Sequence, residues 1–257
     1  MKKTLSILTS SIALAAIAPA STVAHWQFND LTDSSGNGHT LTDTNTGATI
    51  SGGSANFVNP GGVTGLLSAP DNAVWDNVTF TVEATFTFNN PSPAGISTLA
   101  SHLSDSTGRQ WLFGTNTTNV PVLLLRASGA SSETAFASSF GALVAGNTYY
   151  FGAAVDLTAV DPANRITFYF RDITNNGAFQ TQNISTTITA LNDSTAPLAI
   201  GSTAHQSSRL VGSIDELRIS DTKLGPNDLL IAPIPEPSSA LLTVFTISLF
   251  GLRRRRA

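Results

Sequence analysis

The sequence predicts an all-β domain, an antiparallel β-sandwich of the jelly-roll kind, on three observations. From Val78 to Phe88, apolar residues alternate with Thr79, Thr81, Glu83, Thr85 and Thr87 over eleven positions, and period two buries one face of a strand while wetting the other. Short runs rich in β-branched and aromatic residues recur between clusters of Gly, Asn, Ser and Thr, the pattern of many short strands joined by turns. No part of the body has the 3.6-residue periodicity of an amphipathic helix.

The elements follow in order. Ala24 to Phe28 and Ala55 to Val58 are the opening strands, and Val78 to Phe88 is the longest. Gln110 to Phe113, Val122 to Arg126 and Thr148 to Val155 are apolar runs of strand length bounded by turn residues. Arg165 to Ile173 and Ala178 to Ile184 flank Asn176-Gly177. That pair accepts the positive φ of a tight two-residue hairpin turn. Leu198 to Ile200 follows, and Leu210 to Ile219 closes the series. In this last strand Ile214, Leu217 and Ile219 are apolar, but the adjacent acids Asp215 and Glu216 break the alternation, which predicts a β-bulge or a sheet edge. A short helical turn is expected over Pro226 to Ile231, with proline at its first position. From Ala232 onward Pro233, Pro235 and Pro237 alternate with Ile234 and Glu236. Closely spaced prolines remove backbone donors and hold the chain extended, outside any sheet.

The two ends differ from the body. Lys2 and Lys3 precede an apolar stretch, Leu5 to Ala18, which runs into Ala18-Pro19-Ala20 and Thr22-Val23-Ala24. A basic start, a short apolar middle and a small-residue exit describe a secretory signal peptide. Ala20 and Ala24 both qualify as cleavage points, and Ala24 is preferred, giving a signal peptide over 1–24. At the other end Ala240 to Leu252 is a thirteen-residue apolar run followed by Arg253 to Arg256. As helix it is about 20 Å long against a hydrocarbon core of roughly 30 Å, a short transmembrane helix whose arginines stay cytoplasmic. Between His25 and Pro237 lie seven basic residues and all seventeen acidic ones, a charge of −10. A body this acidic is a poor partner for nucleic acid or anionic lipid. The chain has no cysteine, so disulfides, thiolate metal sites and cysteine nucleophiles are excluded.

Two families are resembled. The string Ile234-Pro235-Glu236-Pro237-Ser238-Ser239-Ala240, then an apolar stretch, then Gly251-Leu252 and four arginines, resembles the PEP-CTERM sorting signal of bacterial envelope proteins. The resemblance implies processing by an exosortase, a membrane-embedded transpeptidase, near Pro235, Glu236 and Pro237, and delivery to the cell surface or extracellular matrix. The body, 25–231, resembles the LamG-like, concanavalin A-like jelly roll in three stretches. They are Ala24 to His39 with its Asp33-Ser34-Ser35-Gly36-Asn37-Gly38 turn, Asn147 to Asp156 with Arg165 to Phe170, and Gly212-Ser213-Ile214-Asp215-Glu216-Leu217-Arg218-Ile219. In several relatives a calcium ion lies near such loops. The resemblance therefore makes Asp33 and Asp215 candidate structural calcium ligands, with capping of backbone donors as the alternative role.

The fold class includes glycan-cleaving enzymes, which typically carry paired carboxylates in an E-x-D-x-x-E arrangement. Glu83, Glu133, Glu216 and Glu236 are the only glutamates, and none lies in that pattern. Glu83 falls on the expected wet face of its strand. G-x-S-x-G and H-E-x-x-H are absent, and His25, His39, His102 and His205 are scattered, read as surface or loop residues. Sugar binding often uses an aromatic platform. Trp75, in the polar stretch Ala73 to Asn77, is the candidate expected to be exposed, Trp111 beside Arg109 and Gln110 is a second, and Trp26 reads as core. The expectation is an exported, non-catalytic, lectin-like protein of the surface or matrix, mediating adhesion or exopolysaccharide association through glycan or protein partners. A glycan hydrolase or lyase with an unfamiliar site, and a structural matrix protein without a ligand, are the alternatives.

Overall fold

The computed structural model describes residues 22–57, 65–90, 95–103, 108–206 and 208–231. The expected signal segment before Thr22, the proline motif and the apolar C-terminal run lie outside them. Among the described residues no helix is long and apolar enough to cross a membrane.

Two antiparallel sheets pack face to face. The first holds β1 (Thr22–Trp26), β3 (Ala48–Ser51), β4 (Ser54–Phe57), β6 (Thr79–Asn90), β11 (Asn147–Asp156), β12 (Ile166–Asp172), β13 (Gln180–Ile184) and β15 (Val211–Ser220). The second holds β2 (Thr42–Asp43), β5 (Leu67–Ala69), β7 (Ser97–Leu103), β8 (Arg109–Thr115), β9 (Pro121–Leu125), β10 (Thr134–Ala137) and β14 (Leu198–Ile200). Their orders are β13-β12-β11-β6-β15-β4-β3, with β1 also on β15, and β10-β9-β8-β7-β14-β5-β2. The inward residues meet between the sheets: Phe113 of β8 stacks on Phe151 of β11 at 4.6 Å, and Phe80 of β6 stacks on Trp111 of β8 at 5.8 Å. Val82, Ala84, Phe86 and Phe88 are fully buried on the face that alternation assigned to the core, and each large apolar side chain buried this way contributes about 1.5–3 kcal/mol.

The closing strand organises the eight-stranded sheet. One edge of β15 pairs with β6. Its other edge is shared, Gly212–Ile214 pairing with β4 and Leu217–Ser220 with β1. The register shifts between Ile214 and Glu216, so Asp215 is the extra residue of the expected bulge. At this junction Ser54 Oγ donates to Asp215 Oδ1 at 2.7 Å, and His25 Nε2 lies 2.7 Å from Glu216 Oε1. Each acid of the motif thus ties β15 to one of the two strands that share its edge.

The other expected elements stand, with two adjustments. β12 and β13 form the expected hairpin, but Asn176 alone takes a left-handed φ of 48°, and the Gly177 N–H bonds back to Asp172 O at 2.7 Å. The connection is therefore a longer loop, not a two-residue turn. The helical turn after β15 is a 3-10 turn at Pro226–Asp228.

One expectation is corrected. Glu83 is not on a wet face: its side chain is 0% exposed. Leu224 to Ile231 doubles back across the outer face of the eight-stranded sheet, packing Leu224 and Leu229 on Tyr150 and Tyr169, with Phe179 beside them. Beneath this strap Glu83 accepts hydrogen bonds from Tyr150 OH at 2.6 Å, from Arg218 Nε at 2.8 Å and from the Leu230 N–H at 2.9 Å. A buried carboxylate needs such partners. Burial and then the negative Glu83 push the Tyr150 phenol well above its ordinary pKa, so it stays a donor.

The expected cleavage point after Ala24 falls within a strand. Thr22 to Trp26 form β1, with Val23 and Ala24 buried. The carbonyls of Thr22 and Val23 also accept from Asn37 Nδ2 at 2.8 and 2.9 Å. Cleavage after Ala24 would remove three of the five residues of this strand, whereas cleavage after Ala20 would leave it whole. If a signal segment is cleaved, intact-mass measurement of the mature form is expected to find Ser21 as the first residue; His25 there would show that β1 is dispensable.

Candidate functional site

The strap packs over the Tyr150–Tyr169 part of the eight-stranded sheet's outer face. On the seven-stranded sheet, alternation along β8 turns Trp111 and Phe113 inward and Leu112 outward, opposite Ser101 of β7 and Leu124 of β9. The β7–β8 register shifts between His102 and Leu103, which sets Arg109 opposite Leu103. The outward side chains here enclose a pocket of about 60 Å³. Its apolar lining comes from Ile96, Leu103, Leu112 and Leu124, and its polar lining from Arg109, Glu133, Thr203 and Ser208. Arg109 Nη1 donates to Glu133 Oε1 at 3.0 Å, and the two side chains are 43% and 19% exposed. Asn192 Nδ2 donates to the Arg109 carbonyl at 3.2 Å, holding that end of β8 in place.

On the inner side of the same strand end lies a second polar cluster. His102, read from sequence as a surface or loop residue, is 0% exposed. Its Nδ1 is 2.6 Å from Gln110 Oε1, and its Nε2 is 2.9 Å from Ala196 O and 3.2 Å from Asp71 Oδ1. Both ring nitrogens lie within hydrogen-bond reach of oxygen atoms. Asp76 Oδ1 lies 3.5 Å from Nδ1. Burial pushes the Asp76 carboxyl up, the His102 charge opposes this, and Asp193 and Asp71 add to the upward push, leaving a raised value.

The aromatic candidates are not platforms. Trp75 and Trp111 are each 2% exposed. Trp75 sits in a 3-10 turn, Ala73–Trp75, with its ring 6.5 Å from Trp26 and its indole N–H donating to Pro70 O at 3.2 Å. Trp111 donates its indole N–H to Trp75 O at 3.1 Å and stacks on Phe80; it adds to the pocket lining, but its ring belongs to the core. The polar neighbours of Trp75 concealed this, because the turn folds its one large apolar ring inward.

Asp33 caps backbone donors. Its Oδ1 accepts the N–H groups of His25 and Ser35 at 3.0 and 2.9 Å, and its Oδ2 accepts that of His39 at 3.0 Å. Burial acts to raise its pKa, but these bonds outweigh it and hold the carboxyl below its ordinary value. A cation at Asp33 would have to displace those donors. Asp215 is engaged by Ser54 at the bulge, and the two acids serve different turns. Asp33→Asn is expected to cost about 1–3 kcal/mol at neutral pH by orphaning a backbone donor. The depressed carboxyl stabilises the fold above its unfolded pKa of about 3.9, and that stability is lost as pH falls through the lower folded value. Melting curves of the two proteins should therefore converge below about pH 4, and an unchanged gap at pH 2 would contradict the assignment.

Two antiparallel sheets packed face to face form a sandwich of the lectin-like kind. Residues 60–229 match the model of the concanavalin A-like lectin/glucanase superfamily, and the chain belongs to that superfamily. No curated protein matches it. Among solved structures, domain 4 of AbnA, a GH43 extracellular arabinanase from Geobacillus stearothermophilus in complex with arabinotriose, is 17% identical with a TM-score of 0.54 over 82% of this chain and 97% of that one. Botulinum neurotoxin type C, whose passage into cells depends on two ganglioside molecules, is 16% identical with a TM-score of 0.56, over 80% of this chain and 49% of the toxin chain. Trypanosoma rangeli sialidase in complex with sialic acid is 15% identical with a TM-score of 0.52, over 87% of this chain and 35% of the enzyme. The chain thus spans almost all of the first, about half of the second and about a third of the last.

Proposed function

We propose that this is an exported, surface-directed glycan-binding protein that performs no catalysis, and that its ligand lies across the outer face of the seven-stranded sheet at the Arg109–Glu133 pocket. The observation that carries this reading is the pocket itself, whose aliphatic and polar lining includes the partly exposed Arg109–Glu133 pair. A sugar needs that combination, an apolar surface for its C–H face and fixed donors and acceptors for its hydroxyls. A half-exposed ion pair contributes only about 0–1 kcal/mol to stability, so Arg109 and Glu133 can be turned to a ligand at little structural cost. The arabinotriose, ganglioside and sialic acid associated with the three solved structures agree in ligand class.

The tail fits the same reading. The strap ends at Ile231 on the outer face of the eight-stranded sheet, opposite the pocket. A chain held through its C-terminal segment would turn the pocket away from the attachment surface. Pro235, Glu236 and Pro237 would be the exosortase recognition motif, and processing there would remove Arg253 to Arg256. The mass spectrum of the natively secreted protein is expected to lack those arginines; a mature form that retains them would contradict the sorting role.

Glycan hydrolysis is the second reading, and the raised Asp76 carboxyl is the observation that favours it, since acid catalysts are tuned upward by burial. Against it, Asp76 lies in the inner His102 cluster and not in the pocket, whose described lining has Glu133 as its one carboxylate, while a glycosidase places two carboxylates across one substrate. No release of reducing sugar from polysaccharides is expected. Release that is abolished by Asp76→Asn would decide for the enzyme.

A further inference from the structure

We infer that the strap is exchangeable between copies of this chain: the sheet face it covers, across β6, β11 and β12, also receives the strap of a second copy, and the product is a strap-swapped dimer. What the strap offers that face belongs to residues 224–231 alone. Leu224 and Leu229 pack on Tyr150, Ala154 and Tyr169. The Leu224 N–H donates to Thr81 Oγ1 at 2.9 Å, the Leu224 carbonyl accepts from Tyr169 OH at 3.0 Å, and the Leu230 N–H donates to Glu83 Oε2 at 2.9 Å. A strap arriving from another copy makes all of these contacts without loss.

The hinge decides between the two sources. Only Asp221, Thr222 and Lys223 join Leu224 to β15, which ends at Ser220, and three extended residues reach about 10 Å. In this turn Asp221 Oδ1 and Thr222 Oγ1 are buried without a hydrogen-bond partner. Burial also holds the Lys223 ammonium below its ordinary pKa, against the pull of Asp156. Opening the turn gives up two bonds to main-chain carbonyls, from Thr81 Oγ1 to Thr222 O and from Lys223 Nζ to Asn164 O. A bond exchanged for water costs little, whereas a buried orphan carries its whole desolvation penalty. The balance at the hinge therefore favours the open form, and a short connection of this kind promotes swapping. Opposing it, each copy carries −10 between His25 and Pro237, a repulsion that salt screens. A dimer would also present two pockets to one glycan chain and gain by avidity; that consequence rests on the glycan-binding reading, and the exchange itself does not.

The test is light scattering coupled to size exclusion on the full chain over a concentration series. A dimer is expected whose share rises with concentration and with salt. Three glycines inserted after Lys223 relax the turn and should lower that share at least tenfold. Asp221→Ala with Thr222→Val removes both orphaned atoms, leaves the covered face untouched, and should lower it in the same direction. A melting curve of each variant reports that it is folded. Wild-type and glycine-inserted chains that are monomeric at every concentration would overturn the exchange. So would a dimer whose share ignores both hinge changes, since a dimer built on any other surface is indifferent to hinge length.

Discussion

Glu83→Ala is expected to lower the unfolding free energy by about 3–5 kcal/mol, the usual cost of removing one partner from a buried ion pair. For a domain of this size that corresponds to a fall in Tm of about 6–20 °C. Glu83 is the point where four pieces of chain meet: β6 itself, β11 through Tyr150, β15 through Arg218, and the strap through the Leu230 N–H. Its loss leaves Arg218 half-satisfied, since Arg218 Nη2 still reaches Asp228 O in the strap, and it orphans the Tyr150 hydroxyl. Two secondary results follow. Hydrogen exchange at Leu230 should accelerate before global unfolding, because the strap loses its central acceptor. The double variant Glu83→Leu with Arg218→Met should lose much less than the two single changes combined, since apolar pairs replace buried ion pairs at little net cost. A Glu83→Ala protein within 1 °C of the wild-type Tm would show that the carboxylate is solvated, as its strand position alone suggests.

Gly201→Ala is expected to be of similar severity. Gly201 follows β14 with a φ of +79°, a conformation that L side chains rarely adopt, and a Cβ there would fall inside the buried ring of Phe57. Left-handed strain costs of order 1–3 kcal/mol and overpacking of a tight core about 1–3 kcal/mol, so the variant should melt far below the wild type or fail to accumulate. Phe57→Leu in the same chain relieves the overlap but not the backbone strain, and should recover part of the loss. Full recovery would show that sterics alone set the requirement, and no recovery that the backbone does.

The strands that could be read from sequence are those with a clear alternation, such as Val78 to Phe88, or a continuous apolar run, such as Thr148 to Val155. The alternation of Val78 to Phe88 and the broken alternation at Asp215 both survive in the structure, the second as the bulge where β15 passes from β4 to β1. Ser97 to Leu103 could not be read this way because every one of its residues is buried; with both faces covered there is no period to see. Leu67–Ala69 and Thr42–Asp43 are too short to carry a period. The burial of Glu83 depends on a strap more than 140 residues further along the chain, a non-local event that local alternation cannot register. His102 is likewise buried by groups from Asp71, Gln110 and Ala196. The pocket had a faint signal, Arg109 beside Trp111, but attention to the aromatic ring pointed at the residue that faces the core and away from the charged neighbour that faces out. Glu133 joins Arg109 from 24 residues away, from the residue that precedes β10.

The central claim is that the Arg109–Glu133 pocket on the outer side of the seven-stranded sheet is the working surface. It is tested most directly by measuring adhesion of the full chain to immobilised exopolysaccharide from the producing cells, alongside an Arg109→Ala, Glu133→Ala double variant. Both residues are partly exposed and paired with each other, so the variant should keep its melting temperature within a few degrees. The account predicts saturable binding by the wild type that weakens at least tenfold in the double variant. Equal binding by the two proteins, at equal stability, would place the working surface elsewhere.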